Sequence, residues 1–224
     1  MDQESGGHYS HALRYAWLTS VYDPVVRWTC REARFKDELV RQAGVSPGDR
    51  VLDLGCGTAT LTILVKGACP GAEVTGLDGS DQILDIARDK VGEAGAELSF
   101  VHALSYEIPF EDDSFDRVLS SFFFHHLDRE DKRRTLREVY RVLRPGGELH
   151  VADWGKPPNS FFRIAFGVVQ LLDGFETTRD SLQGMLPDYM KDAGLTDVAE
   201  TGRVLTPLGS VSLYRAVKPA GWPP

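Results

Sequence analysis

Residues 51–61 read VLDLGCGTATL, a short apolar run holding one acid, Asp53, followed by Gly55 and Gly57 on either side of Cys56. A strand that runs into a glycine turn brings main chain close to a ligand, because no Cβ intrudes and positive φ costs little. Downstream the pattern alternates. The apolar strand at 50–54 precedes a helix near 58–68, a strand in AEVTGLD (72–78) and a helix in SDQILDIARDKVGEAG (80–95). A short strand in LSFVHA (98–103) follows, then a strand in FDRVLSS (115–121), a charged helix in REDKRRTLREVYRVLR (129–144) and a strand in GELHVAD (147–153). Strands separated by helices of this length predict parallel β-α-β units and a doubly wound α/β fold, since parallel neighbours need a crossover.

The regularity breaks after Asp153. FFRIAFGVVQLLDGF (161–175) is strongly apolar, LPDYMKDAG (186–194) predicts a helix closed by Gly194, and TDVAETGRVL (196–205) with GSVSLYRAVKP (209–219) predicts an antiparallel terminal hairpin. Upstream, REARFKDELVRQAG (31–44) predicts a helix ending at its glycine. The chain divides into an N-terminal helical lid over 1–47 and a ligand-binding domain over 48–224, with an apolar insertion at about 156–185.

Composition narrows the function. The 224 residues carry a net charge of −8, which offers no broad footprint for a nucleic-acid backbone, so nucleic-acid substrates are disfavoured. In the basic helix, Leu136, Val139, Tyr140 and Leu143 recur at helical spacing, making its charges a solvated face. Cys30, Cys56 and Cys69 form no C-x-x-C pair, so neither a disulfide framework nor a zinc site is implied, and no metal-ligand spacing is recognisable. The segment MDQESGGHYSHALRYAW (1–17) lacks the basic and apolar regions of a signal peptide, and no run reaches the length of a membrane span. A cytoplasmic protein without stable membrane insertion is expected.

Two ligand classes use such a turn, nicotinamide dinucleotides and S-adenosylmethionine. The dinucleotide pattern G-x-G-x-x-G would need a glycine at 60, where Thr60 stands. Asp53, two residues before Gly55, would repel a pyrophosphate and accept from a cationic amine, which favours an aminoacyl-sulfonium ligand. Asp78, closing the second strand, can accept two ribose hydroxyls from either cofactor. The Tyr214–Lys218 spacing matches the Tyr-x-x-x-Lys of short-chain dehydrogenases, but here it alternates like a strand.

With VLDLGCGTA (51–59), VTGLDGS (74–80), IPFEDDSFDRVLSS (108–121), FFFHHL (122–127) and LRPGGELHVAD (143–153) in order, the chain resembles the class I S-adenosylmethionine-dependent methyltransferases, in particular the group containing the menaquinone and ubiquinone methyltransferases. The resemblance covers roughly residues 48–155, with an echo at YDP (22–24). It implies a seven-stranded Rossmann-like sheet with an antiparallel last strand. It also implies that Asp53, Gly55 and Gly57 meet the methionyl part, Asp78 the ribose, and Gly79 and Ser80 the adenosine side, with Cys56 counted among the cofactor-binding residues of the turn and given no chemistry. Ser121 and Phe122 would border the methionyl group, and Tyr22, in the echo, counts among the cofactor-binding residues. Two positions depart from the family: Ala59 replaces a third glycine, and Leu104 replaces the acid that accepts from adenine, leaving that role to apolar contact at Leu104 and to Ser105.

His125 and His126 lie where α/β sheets place ligands, and an imidazole with an ordinary pKa of about 6.5 could take a proton from an acceptor. Asp153 faces the same expected cleft. Methyl transfer from a sulfonium is an in-line displacement that mostly needs alignment and exclusion of water. Tyr9, Tyr15, Trp17 and Tyr22, with Phe161, Phe162, Phe166 and Val169 of the insertion, supply an apolar surround. That insertion either packs as core and as the contact of a homodimer or lines a substrate cavity. The expected function is methyl transfer to a small lipophilic or aromatic acceptor. The alternatives are a cofactor-binding protein without transfer and a methyltransferase acting on a macromolecule.

Overall fold

A computed structural model describes residues 32–94 and 97–221 of the chain. Its elements run α1 (Glu32–Ala43), β1 (Arg50–Leu54), α2 (Thr60–Ala68), β2 (Glu73–Asp78), α3 (Asp81–Ala94), β3 (Ser99–His102), β4 (Phe115–Ser121), a 3-10 turn (Phe124–His126), α4 (Arg129–Val142) and β5 (Leu143–Trp154). They continue with α5 (Ser160–Asp173), α6 (Phe175–Gln183), α7 (Leu186–Asp192), β6 (Thr196–Thr206) and β7 (Gly209–Val217).

The strands form one seven-stranded sheet in the order β3-β2-β1-β4-β5-β7-β6, with β7 antiparallel to both neighbours and the other pairings parallel. This is the Rossmann-like architecture that the sequence predicts. Val51, Leu52 and Leu54 of β1 are fully buried, as a parallel strand covered by helices on both faces requires. On one face Phe35 and Leu39 of α1 pack with Leu61 and Val65 of α2; on the other, Leu136 and Val139 of α4 pack with Val118 and Leu149. The described part of the expected lid, α1, is therefore core structure lying against the sheet. The rest of that segment, with Tyr9, Tyr15, Trp17 and Tyr22, lies outside the described residues.

The helix starts follow local chemistry. Asp128 caps α4 by accepting from Asp131 N at 2.8 Å, and Asn159 caps α5 by accepting from Phe162 N at 3.2 Å. Gly194, at φ +96°, follows the end of α7 in the left-handed conformation its position requires.

From β1 the chain winds outward through β2 to β3, and from β4 it winds the other way through β5. The direction reverses between the neighbours β1 and β4, and in open α/β sheets a ligand crevice opens outside the carboxyl ends of the strands at that switch. Asp53, Asp78, Ser121 and Asp153 all sit at such strand ends.

Candidate active site

The glycine turn is shaped by steric necessity. Gly55 has φ +69°, and a Cβ built on it would lie 2.2 Å from the Phe123 ring, so no side chain fits between β1 and the turn after β4. Its N–H and that of Cys56 donate to Leu77 O at 2.8 and 3.0 Å, tying the turn to β2. Gly57, at φ +53°, meets open space where its side chain would be, and its N–H donates to Asp78 Oδ2 at 3.0 Å. Ala59 also adopts a left-handed conformation, φ +61°, at the start of α2.

Asp53 is 1% exposed. Its Oδ2 accepts from the Thr62 hydroxyl at 2.6 Å, while Oδ1 is buried with no hydrogen-bond partner among the described residues. Burial pushes the carboxyl up to about 6; the Thr62 bond and the Lys36 ammonium pull it down, and Asp78 adds to the rise. A buried carboxylate oxygen lacking a donor is costly as it stands, and a cationic amine is the partner that would relieve it.

Asp78 is half-buried at the end of β2. Its oxygens accept from Gly57 N and Ser80 N, each at 3.0 Å; burial nevertheless holds its carboxyl above the ordinary range. Gly79 O bonds His102 Nε2 at 3.0 Å, and His102 Nδ1 lies 3.0 Å from Asp81 Oδ2, bracing the turn that would meet the adenosine side. Burial pushes the Cys56 thiol up, so it stays protonated and inert. These features fit S-adenosylmethionine: an acid without a donor for its ammonium, a strand-end carboxylate for its ribose, and main chain exposed by glycines.

The adenine side is less open than the sequence suggests. Leu104 is half-buried, with its carbonyl accepting from Glu107 N at 3.0 Å. Ser105 is buried, and its hydroxyl bonds Thr135 Oγ1 of α4 at 2.8 Å.

Across the switch point, Ser121 and Phe122 follow β4. Phe122 has φ +51°, unusual for an aromatic residue, and holds it by donating its N–H to Ala152 O at 2.9 Å and by packing its ring against Phe35, Trp154 and His125. The strained residue turns the chain so that His125 meets Asp153.

His125 Nδ1 lies 2.7 Å from Asp153 Oδ1, both side chains being almost fully buried. His125 N also donates to Asp153 Oδ2 at 3.3 Å, and Trp154 N donates to Oδ1 at 2.7 Å. Burial alone would raise the Asp153 carboxyl, but the His125 imidazole, its hydrogen bond and the Trp154 N–H hold it below the ordinary range. An ionised Asp153 can only accept, so Nδ1 donates and Nε2 is the basic nitrogen of His125. His126 stacks its ring 3.9 Å from that of His125. Beyond the pair, Lys132 Nζ and Asp180 stand 3.6 Å apart, with Arg129 and the Tyr189 hydroxyl also bonded to Asp180. His125, Lys132, Asp153 and Asp180 line one small cavity of about 10 Å³.

The structure thus places Asp53, Gly55, Cys56, Gly57, Asp78, Gly79 and Ser80 at the carboxyl ends of β1 and β2, and Ser121, Phe122, His125, His126 and Asp153 at or just beyond those of β4 and β5. Tyr22 lies outside the described residues. Sequence reasoning missed Phe123, whose ring enforces Gly55, and Thr62 and His102, which bond Asp53 and Gly79. Thr62, in the first turn of α2 behind an acid that needs a donor, carried a weak local signal. Phe123 carried none.

Comparison with known proteins gives the family and the fold. The family described as Methyltransferase domain matches residues 51–147. A demethylmenaquinone methyltransferase of Clavibacter sepedonicus is 34% identical over 209 residues, covering 83% of this chain and 82% of that protein. The corresponding enzyme of Thermus thermophilus is 40% identical over 137 residues; the matched part spans 61% of each chain. Among solved structures, a phosphoethanolamine N-methyltransferase of Haemonchus contortus superposes with a TM-score of 0.67 at 17% identity, over 83% of this chain and 52% of that one. A methyltransferase of Aquifex aeolicus that depends on S-adenosylmethionine gives 0.60 at 21%, over 81% and 89%.

Proposed function

This chain belongs to the class I S-adenosylmethionine-dependent methyltransferases, and from that premise we propose that it transfers a methyl group to a small lipophilic or aromatic acceptor, with His125 as the base and Asp153 positioning it. The observation that carries the reading is the 2.7 Å His125–Asp153 bond just beyond β4, the strand that pairs with β1 and its glycine turn. It supports a general base on the β4–β5 side of the switch point, with the residues suited to the methyl donor on the β1–β2 side.

S-adenosylmethionine supplies an electrophilic methyl on a sulfonium. This chain's residues supply placement and proton handling. Asp53 offers its unpartnered oxygen to the ammonium, Gly55 and Gly57 clear the main chain, and Asp78 offers its carboxylate to the ribose. Nε2 of His125 takes the proton that an acceptor hydroxyl or acidic carbon releases as it becomes nucleophilic. The low carboxyl pKa of Asp153 stabilises the imidazolium that forms. The buried aromatic cluster of Phe35, Phe122 and Trp154 packs beside His125 and shields it from water. The named demethylmenaquinone methyltransferases support a lipophilic acceptor, a quinol being one that must lose a proton as it is methylated.

The test is incubation with methyl-labelled S-adenosylmethionine and a panel of hydroquinones, phenols and aliphatic amines. Label entering a hydroquinone or phenol, and lost with His125→Ala, is the expected outcome. Label entering protein or tRNA while the panel stays unlabelled would overturn the reading.

A further inference from the structure

Helix α5 has two apolar faces. Phe166 and Val169 are buried against the sheet and β7 side, whereas Phe161, Ile164, Val168 and Leu171 point outward, 70%, 79%, 47% and 74% exposed. Spaced at i, i+3, i+7 and i+10, these four form one stripe, and Phe175 at the start of α6, also exposed, extends it. Five large apolar side chains in a row are far more than isolated surface hydrophobes and mark a contact surface.

The charge around the stripe says what it contacts. From Lys156 to Arg179 the chain carries Lys156, Arg163 and Arg179 against Asp173 and Glu176, a net charge of +1 within a protein of net charge −8, and both acids lie past the four-residue stripe. Lys156 and Arg163, with Asn159, Ser160, Pro157 and Leu182, line a cavity of about 220 Å³ at the start of α5. Arg179, exposed, lies four residues after Phe175 on the same side of α6. A greasy ridge flanked by exposed cations, beside a cationic cavity large enough for a phosphate headgroup, is complementary to a bilayer of anionic phospholipid. In a two-fold dimer built on this ridge the same cations would face each other, which disfavours a second copy as its occupant. At 14 residues α5 is too short to cross a membrane, and no described helix is long and apolar enough to do so; the geometry suits lying in the interface.

We propose that the exposed face of α5 docks this protein onto an anionic phospholipid bilayer, with Phe161, Ile164, Val168 and Leu171 entering the headgroup–acyl boundary and Lys156 and Arg163 holding lipid phosphate. That the docked protein draws its acceptor from the bilayer rests on the function proposed above; the docking itself does not.

The test is flotation of the full chain with vesicles of phosphatidylcholine alone and of equal parts phosphatidylcholine and phosphatidylglycerol, without any acceptor. The wild type is expected to float with the anionic vesicles and much less with the neutral ones. Ile164→Glu with Leu171→Glu should cut partition at least about tenfold, and Lys156→Glu with Arg163→Glu should remove the preference for anionic lipid. Both double variants should bind S-adenosylhomocysteine as the wild type does, which checks their folding. Absence of vesicle binding by the wild type would overturn the proposal, as would variants that bind unchanged. So would a wild-type dimer, seen by sedimentation, that the apolar double variant abolishes. Because flotation needs no turnover, docking can fail while the lipophilic-acceptor reading stands, and the converse holds.

Discussion

On the β1–β2 side of the crevice, the site is made of main chain and carboxylate: Gly57 N–H on Asp78, Gly55 and Cys56 N–H on Leu77, and a buried oxygen of Asp53 awaiting a donor. On the β4–β5 side it is made of rings and one hydrogen-bonded pair: Phe122 between Phe35 and Trp154, with His125 on Asp153. The first half is rigid and generic, as suits a ligand with fixed shape and fixed charges. The second is a buried aromatic cluster around a single polar pair, and its function depends on side chains where the first depends on main chain.

The sharpest way to break this division is Gly55→Val. A Cβ there meets the Phe123 ring and the backbone has φ +69°, so S-adenosylhomocysteine affinity should fall more than about a hundredfold by calorimetry. Binding within a few-fold of wild type would show that the turn does not set the cofactor half.

His125→Ala probes the other half. Turnover should fall about a hundredfold or more while S-adenosylhomocysteine affinity moves by less than about twofold, the range expected when a general base is removed. Equal losses in both would mean that the two halves are not separable.

Asp53→Asn should act in two directions. Losing a charged acceptor for the ammonium weakens S-adenosylhomocysteine binding by about 1.5–3 kcal/mol. The empty protein should become more stable above pH 6. A carboxyl pushed up to about 6 contributes stability that is present at low pH and lost as pH rises through that value, and an amide carries no such loss. The melting temperature of the empty variant relative to wild type should therefore climb between pH 4 and pH 7, and wild-type cofactor affinity should weaken below pH 6. A flat difference across that window would contradict the burial account of Asp53.

Ala59→Gly should do least. Relief of left-handed strain, about 1 kcal/mol, offsets loss of one buried methyl, about 0.8 kcal/mol, so thermal melting should shift little. A large shift would mean that the packing of Ala59 with Ala87 and Val91 matters more than its backbone.

The same division explains what the sequence disclosed. Strand, turn and acid at 51–57, and Asp78 at its strand end, were legible because the ligand constrains them within a few residues of chain. The partner of Ser105 stands 30 residues away on α4 and that of His125 stands 28 residues away, and neither spacing is periodic, so only the fold reveals that Ser105 is tied to Thr135 and His125 to Asp153. The insertion after β5 was legible as apolar. Its split into a buried face at Phe166 and an exposed one at Ile164 was not, because helical spacing says that a face exists and not which neighbour covers it. Likewise α1 was legible as a helix, whereas its place in the core depends on Phe35 meeting Phe122.

The central claim is that the turn at 55–57 and the acid at 78 form the site of a sulfonium nucleoside. Calorimetric titration of the wild type and of Asp78→Ala with S-adenosylhomocysteine, and separately with NAD, tests it most directly. The account predicts wild-type binding of S-adenosylhomocysteine that is lost or weakened at least about tenfold in the variant, with no heat from NAD. Binding of NAD, or S-adenosylhomocysteine affinity unchanged in Asp78→Ala, would contradict it.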